Sequence, residues 1–106
     1  MRKLVVLITL VVMFIVMDLN HADAFESCFG NVTVLEPSYM PDYLTFMINC
    51  STPSCPVGAW RTWGQSIDNN KSIYATLLSA LVSGKQVEVF YSNDGTCTPV
   101  FLHIVP

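Results

Sequence analysis

Four cysteines, Cys28, Cys50, Cys55 and Cys97, constrain this chain more than any other feature, because all of them follow a segment with the character of an export signal. Arg2 and Lys3 precede an apolar run from Leu4 to Met17, with Thr9 its one polar residue. That run is shorter than the ~20 residues a membrane-spanning helix needs. Ala22-Asp23-Ala24 then places small residues at the two positions a signal peptidase reads. The sequence therefore predicts a signal peptide over residues 1–24, cleaved before Phe25, and no membrane span after cleavage; an uncleaved anchor is the alternative. The remainder, residues 25–106, is long enough for a single domain of roughly 80 residues. An even cysteine count in a small exported domain reads as two disulfides in a secreted or periplasmic protein. Four cysteines allow three pairings, and their spacing does not choose among them. Zinc is the weaker reading, because Cys50 and Cys55 are not followed by a second close pair and exported thiols oxidise. No metal and no cofactor is expected.

Charge excludes some partners. After the signal, three basic residues (Arg61, Lys71 and Lys85) face six acidic ones (Glu26, Glu36, Asp42, Asp68, Glu88 and Asp94). Scattered cations on an acidic domain give no footprint for nucleic acid and no attraction to an anionic membrane surface.

Hydrophobic periodicity supplies the elements. Asn31 to Leu35 is a short β-prone run, ended by Glu36-Pro37. Tyr43 to Cys50 alternates, with Leu44, Phe46 and Ile48 on one face. Gly58 to Gly64 predicts a third strand with Trp60 and Thr62 on one side and Arg61 and Trp63 on the other. The period then changes to that of a helix: Ile73, Leu77 and Leu81 form a stripe flanked by Tyr74, Leu78 and Val82. Asp68 or Asn69 is the expected N-cap, and Gly84 the expected left-handed residue at the C-terminus. Lys85 to Ser92 and Thr98 to Val105 alternate as strands around Asn93-Asp94-Gly95, which suits a type I′ hairpin turn. Pro99 is tolerable near a strand start. The order β-β-β-α-β-β predicts a mostly β (α+β) fold of five strands and one helix. An OB-like, partly open barrel fits it, and an open sheet with one covered face is the alternative.

The stretch Ile73 to Tyr91, IYATLLSALVSGKQVEVFY, with Trp60 or Trp63 shortly before it, resembles the OB-fold B subunits of bacterial AB-five toxins of the subtilase-cytotoxin and typhoid-toxin type. The resemblance implies an oligomeric ring, a homopentamer, that binds host-surface glycans, has no catalysis of its own and serves an exported enzymatic A subunit. In that family a serine near the first strand contacts sialylated glycans; the corresponding region here reads Phe25-Glu26-Ser27-Cys28-Phe29-Gly30. The same layout is similar to other small exported bacterial proteins, which carry one Cys before the third strand and another in the last hairpin. That analogy implies Cys55–Cys97, leaving Cys28–Cys50.

Catalysis has little to stand on. His103 is the only histidine after the signal and lies on an apolar strand, a poor setting for a general base; no serine has a His and acid in motif spacing. Oxidised cysteines offer no thiolate. Aromatic residues are the better lead. Trp60 and Trp63 bracket Arg61 and Thr62, a combination that could stack on a sugar ring and hydrogen-bond its hydroxyls. The competing reading puts one tryptophan in the core and the other in a subunit interface. Phe101, Val105, Phe90 and Met47 are candidates for a second apolar face that a ring would cover. Asn31, Asn49 and Asn70 head N-glycosylation sequons, with Asn49 the least favoured because it adjoins a cysteine. The expected function is a non-catalytic exported binding subunit that recognises glycans as a ring. A monomeric, disulfide-stapled secreted interaction protein or inhibitor is the alternative, and a small hydrolase ranks last.

Overall fold

The computed structural model describes residue 3 and residues 25–106. The signal peptide expected over residues 1–24 falls, residue 3 apart, outside the described residues. The elements are β1 (Phe25–Gly30), β2 (Val32–Glu36), β3 (Leu44–Ile48), β4 (Arg61–Trp63), α1 (Ile67–Ser83), β5 (Val87–Ser92) and β6 (Pro99–Ile104). There are thus six strands rather than the expected five, and the additional one is β1. Its alternation is inverted relative to a simple reading: Phe25, Ser27 and Phe29 face outward while Cys28 and Gly30 are buried. Sequence periodicity looks for large apolar groups inside, so it misses a strand whose small residues point inward.

The strands form two antiparallel three-stranded sheets, β1-β5-β6 and β2-β3-β4, which do not close into a barrel. Only Asn31 separates β1 from β2, so the chain turns a corner there and passes from one sheet to the other. The corner is fastened by polar contacts. Asn31 N donates to Asn49 Oδ1 (2.7 Å), and Asn31 Nδ2 donates to the Gly84 carbonyl (2.9 Å). Gly30 is needed here: a Cβ would stand 2.6 Å from Asn49 Oδ1 and 3.1 Å from Cys50 Cβ.

The core lies between the sheets. Leu44, Phe46, Ile48 and Trp63 fill it from one side, Val87, Val89 and Tyr91 from the other, and Leu77 and Ala80 enter from the helix. The alternation read from Tyr43–Cys50 and Lys85–Ser92 correctly selects the inward residues of β3 and β5. In α1 the core stripe ends on Ala80 instead of Leu81; Leu81 and Val82 are exposed. Ser66, not Asp68 or Asn69, caps the helix, its Oγ accepting from Asn69 N (3.2 Å). Gly84 closes the other end at φ 70°, as expected of a left-handed C-terminal residue.

Both disulfides are present, Cys28–Cys50 and Cys55–Cys97. Each joins the two halves of the fold. Cys28 lies on β1 and Cys50 follows β3 of the other sheet; Cys55 sits in the loop after β3, and Cys97 in the β5–β6 connection. Bridges spanning 22 and 42 residues each remove about 3–4 kcal/mol of chain entropy from the unfolded state. They also place the protein in an oxidising compartment. The β5–β6 connection is wider than a two-residue type I′ turn. Ser92 N bonds to Thr98 O, Asp94 Oδ1 accepts from Thr96 N (3.0 Å), and positive φ falls on Gly95 and Cys97. Cys97, bonded to Cys55, lies within this wider loop, which Asn-Asp-Gly alone does not announce. Pro99 opens β6, where a missing N–H is tolerated.

Candidate functional site

Strand β4 and the residue before it carry the four residues expected to bind ligand, and the pleat separates them. Trp60 is 47 % exposed just before the strand and Thr62 is exposed, whereas Arg61 is fully buried and Trp63 nearly so. The four therefore do not form one platform. Arg61 belongs to the interior. Its Nε donates to Tyr91 Oη (3.0 Å), Nη1 to the Ala59 carbonyl (2.6 Å) and Nη2 to the Cys50 carbonyl (2.9 Å). The guanidinium carbon lies 5.8 Å from the Tyr91 ring centroid, on the ring face. Burial pushes the Tyr91 phenol above its ordinary value, against the lowering pull of Arg61. With the guanidinium's donors directed at two loop carbonyls and a phenol, its task is to tie β4 to β5 and to the half-cystine loop.

Trp63 has a different fate. Its indole Nε1 donates to Asn69 Oδ1 (2.8 Å), which fixes the ring against the first turn of α1. Beside it, between β4, α1 and β6, opens a cleft of about 330 Å³. Gln65 and Asn69 present amides there, Ile73 an apolar wall, and Phe101 and His103 the opposite rim. β6 is the outer strand of its sheet, so one edge of its backbone is unpaired. Sequence reasoning missed this cleft. Gln65 and Asn69 carry no motif, and the approach of β6 to β4 is long-range.

A second surface covers the outer side of β1-β5-β6. Register places Ser27, Phe90 and Phe101 in one row and Phe29, Glu88 and His103 in the next. Phe101 meets Phe25 edge-on (5.4 Å between centroids) and Phe90 likewise (6.5 Å); His103 lies 5.2 Å from Phe90 and 3.8 Å from the Glu88 carboxylate. Phe25, Phe29 and Phe101 are 44 %, 55 % and 53 % exposed. Phe90 and Phe101 thus share an outer apolar face; Met47 lies on β3 of the other sheet, and both it and Val105 are partly covered. Ser27 is exposed within this face, in the row of Phe90 and Phe101.

The sequon asparagines are engaged in the fold. Asn70 is fully buried, accepting from Gln65 N (2.8 Å) and donating to the Pro41 and Asp42 carbonyls (3.0 and 2.9 Å). It is therefore the least available of the three, and Asn49, disfavoured from sequence, is exposed. Glu26 accepts from Ser54 N (3.3 Å) and Ser54 Oγ (3.0 Å). Its carboxyl is held below the usual range, first by a bond from the Thr52 side chain and then by those from Ser54. Among the described residues, no three His, Cys, Asp or Glu side chains gather as a metal site, and no helix is long and apolar enough to cross a membrane. No family model matches the chain, and no curated protein or solved structure is significantly similar to it.

Proposed function

We propose that this protein is an exported, non-catalytic binding domain of OB-like design that assembles with further copies of itself and engages a carbohydrate or other surface partner. The observation that carries the reading is the outer face of β1-β5-β6, where Phe25, Phe29 and Phe90 lie on β1 and β5 of a disulfide-stapled sheet, with Phe101 at its β6 edge. Aromatic side chains so placed favour association, since their burial removes large apolar areas from water. The helix adds Leu78, Leu81 and Val82, the last 80 % exposed. Topology supports the OB-like part. If β1 and β2 are taken as one strand bent at Asn31, five strands and a helix follow in the order read from the sequence, and β4 comes alongside β6 at an open seam. A homopentameric ring serving an exported enzymatic subunit is the specific form that the toxin-subunit resemblance favours.

Native mass spectrometry of the oxidised exported protein tests this. A homo-oligomer, pentameric in the favoured form, that dissociates on Phe29→Glu or Phe90→Glu while the disulfides stay intact is the expected result. A wild-type monomer at micromolar concentration refutes assembly and leaves the monomeric interaction protein as the reading.

A further inference from the structure

The cleft between β4, α1 and β6 shares Phe101 and His103, on the edge strand β6, with the aromatic face and adds two amides to them; the proposed association rests on Phe25, Phe29 and Phe90 of β1 and β5, which leaves this rim free. The floor of the cleft is Trp63, 3 % exposed and already bonded through Nε1, so it offers ring surface and no donor. Phe101 supplies an accessible ring at the rim. Between them stand two amides. Asn69 spends Oδ1 on Trp63, and its Nδ2 makes no hydrogen bond among the described residues; the Gln65 side chain makes none either. A site with ring and aliphatic walls on one side and uncommitted amides on the other matches a molecule with an apolar face and a hydroxylated edge. The unpaired edge of β6 adds backbone donors and acceptors. At about 330 Å³ the cleft lies at the small end of ligand sites, enough for one ring and not for a chain of them.

Charge narrows the ligand further. No Lys, Arg, Asp or Glu lines the cleft. Its only ionisable side chain, His103, has the Glu88 carboxylate 3.8 Å away. The chain as a whole carries −3. An anionic ligand calls for a guanidinium or ammonium group, and the one arginine near β4 is turned inward and fully used. We propose that this cleft binds a single uncharged pyranose ring, with Phe101 against its apolar face and Gln65 and Asn69 Nδ2 on its hydroxyls. The proposal deepens the carbohydrate part of the function proposed above and rests on it.

The test uses the oxidised exported protein, amide-resolved NMR titration, neutral methyl hexosides and N-acetylhexosaminides, and a methyl sialoside as the anionic counterpart, beside a glycan array. The expected result is millimolar binding of a neutral glycoside, shifts centred on Gln65, Asn69, Phe101 and His103, and at least about a tenfold loss in Gln65→Ala. Gln65 is exposed, so this variant keeps the fold; Gln65→Trp, which fills the mouth, abolishes binding. Tighter binding of the sialoside overturns the proposal. So does glycan binding that shifts other residues, such as Trp60 and Thr62, or that survives both Gln65 variants; in those cases the carbohydrate reading stands and only the cleft assignment falls. No binding to any glycan on the array overturns both.

Discussion

Removing the Arg61 side chain shows whether this residue is structural or ligand-binding. In Arg61→Ala the Ala59 and Cys50 carbonyls and the Tyr91 hydroxyl each lose a donor, at original distances of 2.6, 2.9 and 3.0 Å. Neither carbonyl has another donor among the described residues. A buried polar group left unpaired costs about 1–3 kcal/mol, and the emptied volume adds to that. Part is returned, because a guanidinium no longer has to be taken out of water. The balance is a destabilisation of about 3 kcal/mol, against a total of about 4–12 kcal/mol for a domain this size. Arg61→Met separates the contributions. It keeps most of the volume and removes the buried charge, yet leaves the carbonyls orphaned, so it costs about 2 kcal/mol. Urea titration of the oxidised protein, followed by tryptophan fluorescence, measures both; Trp60 and Trp63 flank the site. In a thermal melt the alanine variant falls by about 12–24 °C. Arg61→Ala within about 1 kcal/mol of wild type, or Arg61→Met more stable than wild type, refutes the reasoning by showing that these bonds do not repay the burial of the charge.

Three further outcomes follow from the same structure. Asn70→Ala removes the bonds that join the start of α1 to the Pro41 and Asp42 carbonyls and to Gln65 N, so urea melts should show a loss of about 2–4 kcal/mol. Asn70→Asp is worse, because it sets a carboxylate against two carbonyl oxygens. The Glu26 carboxyl, lowered by Thr52 and then Ser54, contributes stability above the ordinary carboxylate pKa and loses it as pH falls through the depressed folded value. Between about pH 6 and about pH 3 the urea midpoint of wild type should therefore fall more steeply than that of Glu26→Gln. Parallel curves would show that the contacts to the 52–54 loop are neutral to the charge.

Much of the fold was legible because it is written in local pattern. Period-two alternation picks out Leu44, Phe46 and Ile48 and also Val87, Val89 and Tyr91, since a strand with one buried face must repeat that way. The helix and its Gly84 terminus follow from a period of 3.6 and a backbone angle that glycine adopts without strain. The pairing Cys55–Cys97 and Cys28–Cys50 agrees with the bridges inferred by analogy, though nothing in the spacing selects it. The helix cap was misplaced by two or three residues because Ser66, Asp68 and Asn69 all carry the right chemistry, and only the position of Trp63 reserves Asn69 for another bond.

By itself, then, the sequence determined the composition of the domain: strands around one helix, an even set of cysteines, and an acidic surface without a basic patch. Tertiary structure alone decided which polar residues turn inward and which aromatic ones turn out. Arg61 and Asn70 are polar, yet both are fully buried, because loop carbonyls converge on them: Ala59 and Cys50 on Arg61, and Pro41 and Asp42 on Asn70. Phe25 and Phe29 are large and apolar, yet both are exposed, because β1 turns Cys28 toward Cys50 and Gly30 toward the corner at Asn49. A strand has two faces and one choice between them; a disulfide and a close backbone approach fixed that choice here, and local hydrophobicity gives no warning of either.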